Sequence, residues 1–491
     1  MSSLSTNNPG ISQPDGPWWK EMTGYHWWVL AVATLGWLFD SMDQRLFVLA
    51  RTPALRELLT NATDAEIGSY AGYATAIFIL GWATGGLIFG FMGDRLGRTR
   101  TMMITILVYS MFTGLSALSQ TWWDFAFYRF LCGMGIGGEY AAGVALVAET
   151  VSPRARPYCL GLLQGLAALG QVSGSLVSLA IGPQMEFQGI AGWRLLFLVG
   201  ILPSLLVVVI RLGLKEPDAW IEAQKKSHET DDLHRQMGDL GEIFHNPVWR
   251  GRLMIGMALG MAGQIGIWGI GFWSPELIRG AQLEHRRNAS QVVRESEAGS
   301  DTSKLSLAEL AHASTPSDAE SEQLLQQWKS EDDTYVGRAT VLQDLAGMCG
   351  IYAFTFFTGR FGRRLAFAAA YLIGFFATAM TFGFMRAGSD CYWMIPILGF
   401  GVSSVFGGFA IYFPELFPTR LRSTGIGFCY NVARYLTALG PLTLAKLTLV
   451  YSSWGYSMPL RPAAISLALI YLVGLVVLVW APETRNQPLP E

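Results

Sequence analysis

Gly93-Asp94-Arg95-Leu96-Gly97-Arg98 decides how this chain is read, because its pattern returns as Gly359-Arg360-Phe361-Gly362-Arg363-Arg364. Arg95 and Arg360 are 265 positions apart, as are Gly97 and Gly362. Farther on, Glu149 precedes Arg156 by seven residues and Glu415 precedes Arg422 by seven, at an offset of 266. Basic loop motifs repeated at this distance between apolar stretches mark a duplicated membrane unit. That architecture belongs to transporters.

Composition agrees. The chain has 491 residues, 51% hydrophobic and 15% charged, with 55 Gly, which is not the make-up of an ordinary soluble enzyme. A net charge of −2 gives no sign of nucleic acid. The five cysteines (Cys132, Cys159, Cys349, Cys391 and Cys429) sit in or beside apolar stretches. They read as reduced packing residues with no disulfide framework. Gly133, Gly135, Gly137 and Gly138 resemble a nucleotide loop but lie in an apolar helix with no strand before it, so close helix packing explains them. No metal spacing, nucleophile triad or phosphate-binding sequence stands out, so the chain reads as no enzyme. It needs no cofactor, and a proton gradient is the expected energy source.

Twelve apolar segments approach the length that crosses about 30 Å of hydrocarbon: 27–49, 70–92, 101–119, 124–149, 158–182, 193–213, 252–278, 337–358, 365–385, 391–413, 424–450 and 462–481. This predicts an all-α polytopic membrane protein of two pseudo-symmetric six-helix halves. Arg95, Arg98, Arg100, Arg154, Arg156, Arg360, Arg363, Arg364, Arg420 and Arg422 all fall on one side. By the positive-inside rule that side is cytoplasmic, with both termini, in the cell (inner) membrane. The first residues are polar and do not resemble a cleaved signal peptide. Trp18, Trp19, Trp27 and Trp28 fit an interfacial aromatic belt. The expected divisions are an N-terminal tail 1–24, a first half 25–214, a cytoplasmic linker 215–250, a second half 251–482 and a tail 483–491. The extracytoplasmic insertion 279–336 reads either as a solvated, partly disordered segment or as a small cap over Ser303 to Lys329.

Gly90-Phe91-Met92-Gly93-Asp94-Arg95-Leu96-Gly97-Arg98 resembles the signature G-x-x-x-D-R-x-G-R of the major facilitator superfamily of secondary transporters, and the resemblance covers about residues 25–486. Asp40-Ser41-Met42-Asp43, Arg129 to Glu139 and Pro414 to Arg422 look most like bacterial sialate and monocarboxylate proton symporters of the sugar-porter-like branch. The resemblance implies that Asp94 meets the N-terminus of helix eleven when the cytoplasmic side is closed, a favourable place for a carboxylate. It implies a neighbouring network of Arg98, Glu149 and Arg156, mirrored by Arg363, Glu415 and Arg422. Gly90, Arg95 and Gly97 complete the gate. Gly359 replaces the Asp in the second copy, so that gate is expected to hold more weakly. The plainer reading of these arginines is topology alone.

Ionisable groups inside apolar helices cost several kcal/mol unless paired or facing a cavity. Here they are Asp40, Asp43, Arg45, Arg129, Glu139, Asp344, Arg434 and Lys446. Asp40 and Asp43 share a helix face, and two such carboxylates compete for charge, which suits a proton carrier. The resemblance assigns proton coupling to Asp43 with Arg129 as its partner; Glu139 is either a second protonation site or a helix tie. Arg45 is expected to snorkel toward the outer interface. Gln164 and Gln171 are seven apart on one helix face, similar to the hexose-binding glutamines of sugar porters, while Gln264 and Trp268 match that pattern only in part. Tyr412, Tyr430, Asn431 and Arg434 add an aromatic and cationic set. The Arg434 fork suits a carboxylate, or else pairs with Asp344.

The leading expectation is a proton-coupled symporter of a small organic anion, such as a monocarboxylate, a sialic or sugar acid, or an aromatic acid. The alternative is a sugar or polyol transporter. Partners are the substrate, protons and the lipid bilayer, with no nucleic acid and a monomeric chain. A transporter-like sensor is a third possibility, without a partner motif in 215–250 or 279–336.

Overall fold

In hydrocarbon no water satisfies the backbone, so each apolar segment must close its hydrogen bonds internally as a helix. A computed structural model describes residues 16–183, 185–229, 236–296, 319–437 and 440–490. The first half contains α1 (Gly24–Leu58), α2 (Asp64–Leu96), α3 (Arg98–Ser116), α4 (Trp122–Thr150), α5 (Arg156–Ile181) and a sixth crossing split into α6 (Gly192–Val199) and α7 (Ser204–Gly213). A two-residue hairpin, β1 (Glu186–Phe187) on β2 (Ile190–Ala191), joins α5 to α6. The linker folds into α8 (Asp218–Glu229) and α9 (Leu240–His245). The second half contains α10 (Pro247–Gln264), α11 (Ser274–Ser296), α12 (Ala319–Phe361), α13 (Arg363–Phe384), α14 (Cys391–Leu416), α15 (Arg422–Thr437), α16 (Gly440–Ser453), α17 (Leu460–Ala468) and α18 (Ile470–Val477).

Nine described helical stretches are long and apolar enough to cross a membrane; α1, α3 and the α15–α16 pair complete the twelve-crossing fold. Helix starts follow local chemistry. Thr63 with Glu66, and Thr121 with Asp124, form reciprocal capping boxes at the starts of α2 and α4. The seventh crossing is irregular: between α10 and α11 run a π-helical turn, Ile265–Ile270, and a tight turn, Gly271–Trp273. Such turns concentrate at functional sites.

The glycine run does pack helices. A Cβ on Gly133 would lie 2.3 Å from Phe78 O and one on Gly137 2.0 Å from Trp82 O, while Gly81 and Gly85 of α2 meet Phe130 O and Met134 O of α4 at 2.1 and 1.9 Å. In the second half, Gly350 and Gly399 bring α12 and α14 together the same way. The halves touch along α2–α15, where Gly427 abuts Gly86 O, and along α5–α12, where Gly161 and Gly165 face Thr355 and Tyr352.

The insertion departs from expectation. Residues 274–296 extend the seventh crossing, and 319–336 belong to the 43-residue α12. The stretch expected as a separate cap is therefore, over 319–329, the leading end of the eighth crossing; 303–318 lies outside the described residues. All five cysteines are free; Cys349 alone is exposed. Trp19, Trp27 and Trp28 face outward, whereas Trp18 stacks on Tyr158 at 5.1 Å.

Candidate functional site

Three clusters of polar side chains lie in the helix bundle. The first is within the N-terminal half. Thr113 and Ser116 are three apart on α3, and Arg129 and Cys132 three apart on α4, so each pair shares a face and both faces meet Asp43 on α1. Thr113 Oγ1 donates to Asp43 Oδ1 at 2.7 Å, Cys132 Sγ to Oδ2 at 3.3 Å, and Arg129 Nη1 stands 3.5 Å from Oδ2. Arg129 is held by Ser116 Oγ (3.0 Å) and Phe112 O (3.3 Å), with its guanidinium over Phe197 at 4.7 Å and Phe47 at 5.6 Å. The Asp43–Arg129 pair is thus formed but long, and each member keeps other partners. It can open without leaving either charge bare.

Asp40 and Glu139 form the second cluster, 0% and 2% exposed. Their carboxyls adjoin, with Asp43 beside Asp40. None of the four oxygens is bonded by any other group among the described residues. Glu139 Oε1 occupies the space of a Cβ on Gly36, 1.7 Å away, so only glycine fits there.

The third cluster spans both halves. Tyr430 and Arg434, four apart on α15, share a face. Arg434 lies 3.6 Å over Trp82 and 4.8 Å over Tyr430. Tyr430 stacks on Tyr140 at 3.9 Å, Tyr140 packs on Trp37 at 4.9 Å, and Trp82 on Trp268 at 6.3 Å. Gln164 and Gln264 reach Tyr430. Arg434 is 2% exposed and pairs with no carboxylate among the described residues. Its Nε, the indole Nε1 of Trp37, Trp82 and Trp268, and the Tyr140 hydroxyl are all buried without a partner among the described residues. A buried cation without a counter-ion, in a cluster that also holds unanswered donors, has the chemistry to accept an anion.

The helix ends carrying the arginine motifs form a seal. Asp94 Oδ1 accepts from Ser423 N at 3.0 Å, and Oδ2 from Thr424 N at 2.9 Å and Thr424 Oγ1 at 2.6 Å, at the start of α15. Gly90 packs on Ser423 O, 2.9 Å from a Cβ position. Gly97 takes φ +107°, where glycine is favoured. Arg95 lies over Phe91 and donates to Met237 O of the linker. Arg98 pairs with Glu149 at 2.8 Å and Arg363 with Glu415 at 2.7 Å. A Cβ on Gly359, which stands in place of an Asp, would meet only the Tyr158 side chain among the described residues.

Several expectations change. Arg422 pairs with Glu149 of the other half at 2.6 Å, while Arg156 donates to Ala148 O and has Glu415 as the foremost carboxylate around it. The network is therefore crossed between halves, because the end of α4, which carries Glu149, lies beside the start of α15. Tyr412 is not in the chamber: it lies four residues from the end of α14, and its hydroxyl donates to Pro482 O at 2.7 Å. Asn431 packs on Gly86 and donates to Gly427 O at 3.0 Å. Gln171, seven residues beyond Gln164, is only partly buried, and Lys446 is exposed. Arg45 does not snorkel; it pairs with Asp344 at 2.9 Å, which leaves Arg434 with no carboxylate among the described residues.

Sequence reasoning missed Thr113, Ser116 and Cys132, whose types carry no signal without the third dimension. It also missed Glu216 and Glu483, which were legible as a repeat 267 positions apart. Glu216 accepts from the amides of Thr99 and Arg100, and Glu483 from those of Arg363 and Arg364. Each thereby caps the helix that begins at its half's arginine motif.

The sequence model described as Major Facilitator Superfamily matches residues 29–291. The chain is 24% identical over 472 residues to a putative metabolite transport protein of Haemophilus influenzae, covering 96% of this chain and 99% of that one. It is 27% identical over 434 residues to the cis,cis-muconate transport protein of Acinetobacter baylyi, covering 87% and 89%. Among solved structures, the proton:xylose symporter XylE aligns with TM-score 0.65 at 17% identity, over 95% of this chain and 98% of that one.

Proposed function

This chain belongs to the major facilitator superfamily and is a multi-pass membrane transport protein, not an enzyme; from that premise we propose that it is a proton-coupled symporter of a small organic anion. The observation that carries this reading is Arg434, buried over Trp82 and Tyr430 with no carboxylate of its own among the described residues. A guanidinium so placed is costly until an anion arrives, and its fork takes both oxygens of a carboxylate. The surrounding rings suit an acid with an aromatic or conjugated body. The acid named for the muconate relative agrees in class.

In the cycle we propose, the arginine-motif end is cytoplasmic and stays sealed while the acid enters from the outer side. Protonation of Asp43 loosens its hold on Arg129, and Asp40 with Glu139 stores a proton nearby. The acid occupies the chamber at Arg434, the halves rock, and the Asp94–α15 contact opens. Proton release inside restores Asp43–Arg129 and resets the carrier. The protein works as a monomer in the inner membrane, both termini cytoplasmic, with the proton gradient as its energy source and no cofactor.

A second reading, sugar or polyol transport, is favoured by the unpartnered acceptors Gln164 Oε1 and Gln264 Oε1 beside Tyr430. One experiment separates the two. The protein is reconstituted in liposomes with a lumenal pH dye, and benzoate, cis,cis-muconate, lactate, a sialic acid or glucose is added. Lumenal acidification by one acid, lost in Asp43→Asn and above passive entry of undissociated acid, supports anion–proton symport. Labelled glucose uptake with silence toward all acids refutes it.

A further inference from the structure

The only ion pair among the described residues that joins α1 to α12 is Arg45 Nη2 to Asp344 Oδ2, at 2.9 Å. By helix rise, Arg45 stands about 31 Å along α1 from Gly24 and Asp344 about 26 Å along α12 from Phe361, whereas Arg434 is about 18 Å along α15 from Arg422. The pair therefore lies beyond the aromatic chamber, on the side away from the arginine motifs. Its side chains are 21% and 30% exposed, unlike the fully buried Glu149 pairs at the other end. The stem of Arg45 rests on Gly174 of α5, which fixes where its head points. A guanidinium offers five donors, yet here one nitrogen meets one Asp344 oxygen, and the buried Nε has no acceptor among the described residues. The neighbouring Gln343 accepts from Ser274 at 2.9 Å and reaches Gly271 O at 3.5 Å. Asp344 is thus set beside the irregular turn of the seventh crossing.

We propose that Arg45 is an outer anion-binding station on the transport path, and that Asp344 is its tethered competitor. This rests on the organic-anion reading above. An arriving carboxylate takes the Asp344 place on Arg45, using the free Nε as well, and α1 parts from α12. When the anion moves inward to Arg434, Asp344 returns and closes the outer side. The exchange swaps one carboxylate for another, so Arg45 is never left bare in a partly dry site. A neutral sugar offers no such exchange, so the station also selects for charge.

The test is initial uptake of labelled benzoate and cis,cis-muconate by cells expressing the wild type, Arg45→Gln, Asp344→Asn or the exchanged Arg45→Asp/Asp344→Arg pair. Removing the competitor is expected to lower KM about three- to tenfold, and removing the station to raise it by a similar factor. The exchanged pair returns KM toward wild type. An ion pair that merely holds helices together moves KM in the same direction in both single variants; that result, or no change in either, overturns the proposal. If Arg45→Gln fails to fold, Arg45→Lys, which keeps the charge and loses the fork, is still expected to raise KM, and an unchanged value there overturns it too. A wild type that moves none of benzoate, cis,cis-muconate, lactate and a sialic acid defeats the organic-anion reading itself. Acid uptake that depends on Arg434 but ignores Arg45 and Asp344 defeats the outer station alone.

Discussion

Asp94→Asn tests the contact that joins the two halves at the arginine motifs with almost no change in shape. Asp94 accepts from Ser423 N (3.0 Å), Thr424 N (2.9 Å) and Thr424 Oγ1 (2.6 Å), and stands 3.1 Å from Arg98 Nη1. The amide keeps one acceptor but turns an NH2 group toward donors at the other. The loss is about one charge-assisted hydrogen bond, 1.5–3 kcal/mol, plus the attraction of a carboxylate to a helix start, up to about 2 kcal/mol. Relief of burying a charge offsets part of this, so about 2 kcal/mol remains, or about 30-fold in the closed-to-open ratio. A seal open about 1% of the time would then be open about a quarter of the time. Spin labels at Arg100→Cys and Arg360→Cys, both exposed and one in each half, in a Cys349→Ser background, read the separation by pulsed electron resonance. A second population at longer distance is expected. A distribution identical to that of the wild type would refute the argument that this carboxylate holds the halves together.

Other consequences can be measured separately. Burial alone would raise the Glu483 carboxyl, but the amides of Arg363, Arg364 and Arg485 outweigh it and hold it below its ordinary 4.5. A carboxylate lowered on folding stabilises above its unfolded value, and the benefit is lost as pH falls through the lower folded value. Glu483→Gln should therefore melt a few degrees below the wild type at pH 7, about 1 kcal/mol, with the gap closing below pH 4; a constant gap would count against the cap. Gly137→Ala places a methyl 2.0 Å from Trp82 O, and should cost about 1–3 kcal/mol by forcing α2 from α4, seen as a lower melting temperature in detergent. Thr113→Val removes the 2.7 Å bond to Asp43 and should cut proton-driven uptake about tenfold while leaving the melting temperature within a few degrees; full uptake would remove Thr113 from the coupling site.

Much of the molecule is legible in its residues alone. The duplicated arginine motifs mark the two halves, and the apolar segments, with their lengths, mark the crossings. The expectation that Asp94 meets the start of the eleventh crossing agrees with its bonds to Ser423 and Thr424. The glycines of α4 read correctly as packing residues, since a helix that approaches another at Trp82 O leaves no room for a Cβ. Glu216 and Glu483 are equally readable as a repeat.

What the sequence could not supply was partnership across the bundle. Helical periodicity tells which residues of one helix share a face, as for Thr113 with Ser116 or Tyr430 with Arg434, because that follows from local backbone geometry. It does not tell which foreign face they meet, since this depends on how two halves dock. Thus Arg422 reaches Glu149, and Arg45 rather than Arg434 takes Asp344. Tyr412 falls below the chamber that its chemistry suggested. The twelve crossings, their duplication and the chemical types available inside them are written in the order of residues, because hydropathy and spacing are properties of neighbours along the chain. That Arg434 has no carboxylate among the described residues follows from the packing alone, because a charge is paired or unpaired according to what lies within a few ångströms in space, not along the chain.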